Sequence, residues 1–164
     1  MLEQQKHYND NQFERHLEAS KDPVWFCARY LSELGYSISI EPTVKGSHEE
    51  WREHRDNGDI YIWMPGWNKG EPQRVEVKQL SAMSAPEDFK FSSMMVCAVH
   101  SWKEANPKPL VYILINKQRT HLAMIYSKDQ PSWFTRTVQD KRYAGEYTQE
   151  MYFCPLQYVH WRTI

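Results

Sequence analysis

The stretch RVEVKQL, residues 74–80, sets Glu76 and Lys78 two residues apart in a segment that otherwise reads as a β-strand. Alternation puts both charges on one face of the pleat and leaves Val75 and Val77 on the other. Upstream, GDIYIWMP reads as a second strand, and PGWNKGEPQ between the two is turn material, so they form a hairpin. With the turn centred near Asn68–Lys69, Asp59 falls opposite roughly residue 78, within a two-residue slip. Three charged side chains converging on a covered sheet are costly unless a partner satisfies them. A divalent cation does so: Mg²⁺ takes two carboxylates, and water and phosphate oxygens complete its octahedron. A lysine one step along the same face can orient or activate water and offset charge on a phosphate. The competing reading is an exposed edge strand whose Glu76 and Lys78 make ion pairs worth about a few tenths of a kcal/mol.

The elements that must position these residues follow from periodicity. DPVWFCARYLSELG predicts a helix with Asp22 as N-cap, Pro23 at the first helical position and Gly35 as the left-handed terminator. Val24, Cys27, Ala28, Leu31 and Leu34 form its apolar stripe. A shorter helical stretch around Phe13–Leu17 precedes it. YSISIEP predicts a strand with one buried face. After the third strand, Ser84 and Glu87 read as a capping box opening a helix. Its apolar face comprises Phe91, Met94, Met95, Ala98, Val99 and Trp102, and Asn106-Pro107 ends it. LVYILINK and HLAMIYS read as two strands joined tightly near Gln118-Arg119. Residues 128–164 read as an irregular, aromatic and basic extension with a last strand near Leu156–Trp161.

On Asp59 and Glu76-Val77-Lys78, placed on the second and third strands after a helix, the chain resembles the PD-(D/E)XK nuclease superfamily of restriction-endonuclease-like fold. The resemblance implies an α/β fold with an αβββαβ core, a mixed central sheet flanked by helices, and a core spanning about residues 22–127 of a single nuclease-like domain. It implies that Asp59, Glu76 and the Val77 carbonyl hold Mg²⁺ or Mn²⁺ and that Lys78 acts on the attacking water. The expected chemistry is endo- or exonucleolytic hydrolysis of phosphodiesters, in DNA by family likeness. Gly58 stands where the pattern carries proline. Trp25 stands where many members place a further glutamate on the first helix, which leaves Glu18 and Glu33 as candidate extra ligands. Glu33 reads better as a solvated charge.

The 164 residues are enough for one ordinary domain, and 14% aromatic content suits a folded chain. No 18-residue apolar run spans a membrane, and the polar start lacks the apolar stretch of a secretory signal, so a cytoplasmic protein is expected. Cys27, Cys97 and Cys154 are odd in number and widely spaced, as reduced thiols are, and argue against zinc. HEEWREH is not HExxH, so His48 and His54 read as a solvated loop bordering the cleft at most. Gln79 points away from Lys78, His100 is a helix-surface or packing residue, and Trp67 either touches substrate or folds onto the sheet.

Residues 1–100 carry 11 Lys/Arg against 16 Asp/Glu, whereas residues 101–142 carry 8 against 3. That asymmetry gives either one positive face or merely scattered solvated charge. Near-zero net charge argues against a binder that coats nucleic acid by charge alone. In SWFTRTVQDKRYAGEYTQEMYF, Arg136, Lys141 and Arg142 interleave with Trp133, Phe134, Tyr143 and Tyr147, a composition that holds a phosphate backbone while stacking on bases. The same composition fits a C-terminal cap packed on the core. Small size suggests structure-directed or partner-directed cutting, or a dimer. The alternative to an enzyme is a non-catalytic nucleic-acid-binding or protein-interaction module that keeps the fold.

Overall fold

The computed structural model describes residues 10–41, 59–140 and 147–164. The chain opens with helix α1 (Asp10–Glu33) and strand β1 (Ser37–Ile40), followed by β2 (Ile60–Trp63) and β3 (Gln73–Leu80). Next come β4 (Ser93–Ala98), the short α2 (Val99–Glu104), β5 (Val111–Asn116) and β6 (His121–Tyr126). The strands β7 (Phe134–Gln139), β8 (Thr148–Pro155) and β9 (His160–Thr163) complete the chain. Six strands form a mixed sheet in the order β1-β2-β3-β5-β6-β9, and a second sheet has the order β4-β8-β7.

The helix α1 is longer than periodicity suggested. It runs continuously from Asp10 through Pro23, so Asp22 is not its cap and no separate 13–17 helix exists. The helix-favouring residues before Pro23 prolong it at the cost of the hydrogen bond that the ring cannot donate. Asp22 instead meets Arg119 on the β5–β6 turn, Oδ2 to Nη2 at 3.4 Å. Val24, Cys27, Ala28 and Leu31 are buried as the stripe predicts, whereas Leu34 is exposed. Gly35 ends the helix at φ +95°, with its N–H on the Ser32 carbonyl and the Tyr36 N–H on that of Leu31. These paired bonds form a Schellman cap, which needs that left-handed residue.

Of the expected helix over 84–106 only Val99–Glu104 is α-helical, and residues 93–98 before it form strand β4. Residues 86–88 make one 3₁₀ turn whose partner for the Ala85 N–H is Asp88, not Glu87. Met94 and Met95 lie in β4, antiparallel to β8, with Met94 opposite Cys154. A short apolar run fits either element, and pairing with a distant strand decided it. The described residues of the C-terminal stretch, 128–140 and 147–164, likewise contain β7, β8 and β9, with a 3₁₀ turn over Leu156–Tyr158 where the last strand was expected to start. The anticipated parallel crossover is present: β3 pairs parallel with β5. Both β4 and α2 lie within that connection.

Strand alternation sorts the core into two layers. Val75 and Val77 of β3, with Val111, Ile113 and Ile115 of β5, pack beneath α1. Tyr112 and Leu114 face the other way and pack with Met94, Val96 and Cys154 of the second sheet. The even-numbered residues of β3 therefore look toward the second sheet, and that face carries Arg74, Glu76 and Lys78.

Candidate active site

Asp59 precedes β2, whose register sets Ile60 opposite Val75. One further step brings Asp59 beside Glu76, two residues from the central expectation and inside the allowed slip. The half-buried Asp59 carboxylate accepts the Val77 N–H at Oδ2, 2.7 Å away. Its main-chain carbonyl accepts the Glu41 N–H at 3.0 Å. The aspartate thus sits on the peptide that links Glu76 to Val77, and a side-chain oxygen takes the amide at the end of the β2–β3 ladder. Charged acceptors make the stronger kind of hydrogen bond, so this contact orients the carboxylate firmly.

Glu76 is 8% exposed, and both the Nε and the Nη2 of Arg74 lie 2.6 Å from its Oε1. Arg74 is itself buried. Sequence reasoning overlooked this residue, although R-x-E-x-K alternation puts it on the same face and only two positions away. A guanidinium in reach of a desolvated carboxylate is what makes burial of that acid tolerable.

Lys78 is half-buried, and its Nζ donates to the Val96 carbonyl at 2.5 Å. Val96 occupies the irregularity between Met95 and Cys97 where the β4–β8 register shifts. Such a bulge leaves the extra residue out of the ladder, and here the Val96 carbonyl serves Lys78. The Lys78 ammonium also stands 5.7 Å from the centre of the Tyr112 ring.

The surrounding ionisable groups stay neutral. Burial, followed by the charge and hydrogen bond of Cys97 and the charge of Glu76, pushes the Tyr112 hydroxyl far above its ordinary value. Burial raises the Cys97 thiol, with the Tyr112 bond and the Lys78 charge opposing. On the α1 side, burial and then the Asp59 charge push Cys27 up to about 12. The constellation is two acids against two bases, with a formal charge of zero. A bound dication would leave it positive, which suits a phosphate.

The donor chemistry fits a hard cation. Asp59 and Glu76 supply anionic oxygens, and each carboxylate is held in orientation by a donor, the Val77 amide for one and Arg74 for the other. Such outer partners commonly fix metal-ligating carboxylates. Among the described residues, no group of three or more His, Cys, Asp and Glu side chains gathers as a ligand set.

Glu33 pairs with Arg29 at 3.0 Å on the exposed side of α1, as a solvated charge should, and does not join Asp59. Glu18 lies on a part of α1 whose side chains fall outside the described set, and Lys141, Arg142 and the His48–His54 cluster lie outside the described residues. Arg136 is on β7, 4.8 Å from the Phe134 ring centre and 5.3 Å from that of Phe153. Gln79 and His100 are exposed, and Trp67 meets Tyr36 edge-on at 6.1 Å. No helix among the described residues is long and apolar enough to cross a membrane. Compared with protein families, with curated proteins and with solved structures, the chain matches none.

Proposed function

We propose that the chain is a metal-dependent nuclease of PD-(D/E)XK type with a restriction-endonuclease-like core, hydrolysing phosphodiester bonds in DNA. The observation that carries this reading is the 2.7 Å bond from the Val77 amide to Asp59, which brings an acid from the residue before β2 onto the peptide that links Glu76 to Val77. The order helix, three antiparallel strands, then a parallel fourth in the sheet supports the fold reading. The share of β4 in the crossover is a departure from the simple αβββαβ scheme.

Asp59 and Glu76, with the Val77 carbonyl, would hold Mg²⁺ or Mn²⁺. When bound, such a cation lowers the pKa of water and stabilises charge on a phosphate. Arg74 keeps the Glu76 carboxylate in place. Lys78, directed by the Val96 carbonyl, is positioned to orient the attacking water and to counter charge on the phosphate. The water oxygen forms a bond to phosphorus as the bond from phosphorus to the leaving sugar oxygen breaks in line, and the leaving oxygen takes a proton.

A second reading is a non-catalytic nucleic-acid or protein-interaction module. It is favoured by one observation: Glu76 and Lys78 both have partners within the chain, in Arg74 and the Val96 carbonyl. The separating experiment incubates the protein with circular plasmid, single-stranded and branched DNA in Mg²⁺ or Mn²⁺, against EDTA and Lys78→Ala. Cutting lost with both supports the nuclease. Binding without cutting under either metal establishes the module.

A further inference from the structure

The second sheet has a face turned away from the first, and its chemistry is unlike that of its core side. Met94, Tyr152 and Cys154 pack inward. Alternation turns Met95, Phe153 and Phe134 outward, and the ladder sets them in one row, with Met95 opposite Phe153 and Phe153 opposite Phe134. The rings of Phe134 and Phe153 are stacked, 5.9 Å between centres and 20° between planes. Arg136, exposed and two residues along β7, lies over both. By alternation the remaining positions of β7 and β8 on this face are Val138, Gln149, Met151 and Pro155, of which Met151 is buried, so among the described residues of the two strands no acid takes such a position.

We propose that this surface is a stacking platform for unpaired bases of a single-stranded nucleic acid. The proposal rests on the reading of the chain as a protein acting on nucleic acid, and it names the substrate class: strands with exposed bases rather than intact duplex. Two observations select that occupant over a purely apolar one. Two of the three members of the row are aromatic rings within 20° of parallel, which suits the π-face of any base. Among the described outward positions of β7 and β8 the charged group is Arg136, a cation already seated on the rings, and a guanidinium presents a plane for a base and N–H edges for phosphate. A partner must therefore be planar, apolar on its faces and anionic along its backbone. Duplex DNA hides its base faces and meets only the charge.

The test is fluorescence anisotropy with labelled oligothymidylate, oligouridylate and a duplex, each of about 12 units, a length within the usual range of one site. EDTA is present in the binding titrations, so binding is read without cutting, and cutting is read separately in Mg²⁺ or Mn²⁺. Expected is tighter binding of single strands than of duplex, with the two single strands showing whether DNA or RNA is preferred. Arg136→Ala weakens single-strand binding about tenfold, and its dependence on log salt falls by about one unit. Arg136→Lys, which keeps charge without the plane, recovers only part of the affinity. Phe153→Leu keeps apolar cover and tests the ring itself if Phe153→Ala fails to fold. Equal affinity for duplex and single strand overturns the proposal, as does unaltered binding by Arg136→Ala. So does a concentration-dependent dimer abolished by Arg136→Ala, which would assign the face to a second copy. Cutting with intact binding by Arg136→Ala removes the platform alone. Single-strand binding without cutting under any metal removes the nuclease reading alone.

Discussion

Replacing Arg74 by methionine keeps an apolar stem of similar reach and deletes the guanidinium. Both partners of the Arg74–Glu76 pair are largely out of water, with side chains 7% and 11% exposed, and the contact is 2.6 Å. Surface screening therefore discounts little of it, and the pair belongs with buried ion pairs, not exposed ones. Removing one member leaves the Glu76 carboxylate desolvated without its guanidinium, at a cost of about 3–5 kcal/mol. For a urea slope near 2 kcal/mol per molar, the unfolding midpoint falls by roughly 2 M. The companion variant Glu76→Gln and the double variant close a thermodynamic cycle. In the double variant most of the loss returns, because no isolated charge remains, and the coupling exceeds about 1 kcal/mol. Urea titration followed by tryptophan fluorescence reads all four proteins, with slopes compared to verify a common unfolded state. A loss below about 1 kcal/mol in Arg74→Met, or a double variant as unstable as the sum of the singles, refutes the argument that burial makes this pair strong.

Asp59→Asn retains an oxygen acceptor for the Val77 amide, so it unfolds within about 1 kcal/mol of wild type yet loses cutting and any rise in melting temperature on adding Mn²⁺. Retention of either metal effect would remove Asp59 from the cation site. The buried thiols predict alkaline destabilisation. Cys27 is held up at about 12 and Cys154 at about 11, against an ordinary thiol value of 9.0. Because the folded values are raised, this stability is fully present below about pH 9 and is lost as pH climbs from there toward the folded values. The slope reaches about 1.4 kcal/mol per pH unit for each thiol. Urea midpoints at about pH 8 and 10 check it, and a slope unchanged in Cys27→Ala would show that this thiol is not the source.

Local periodicity in the sequence determined α1 from Val24 to its Gly35 stop, the strands β1, β2, β3, β5 and β6, and the turn between β5 and β6. Each of these is written in residues a few positions apart, where stripe, alternation and left-handed glycine act directly. The facing of Glu76 and Lys78 followed from the same alternation, and the hairpin length brought Asp59 to within two residues of its observed place. Tertiary structure alone decided the rest. The apolar run SMMVCA carries no period that separates strand from helix, and it became β4 because β8 offered a ladder far along the chain. That pairing also places residues 151–155, part of the stretch that reads as irregular in the sequence, in a ladder, bulges the chain at Val96 and so supplies the carbonyl that holds Lys78. The partners of the charges, like the row of Met95, Phe153 and Phe134, arise from registers between distant segments. Their free energy appears only when those segments meet, which is why neighbouring residues hold no record of it.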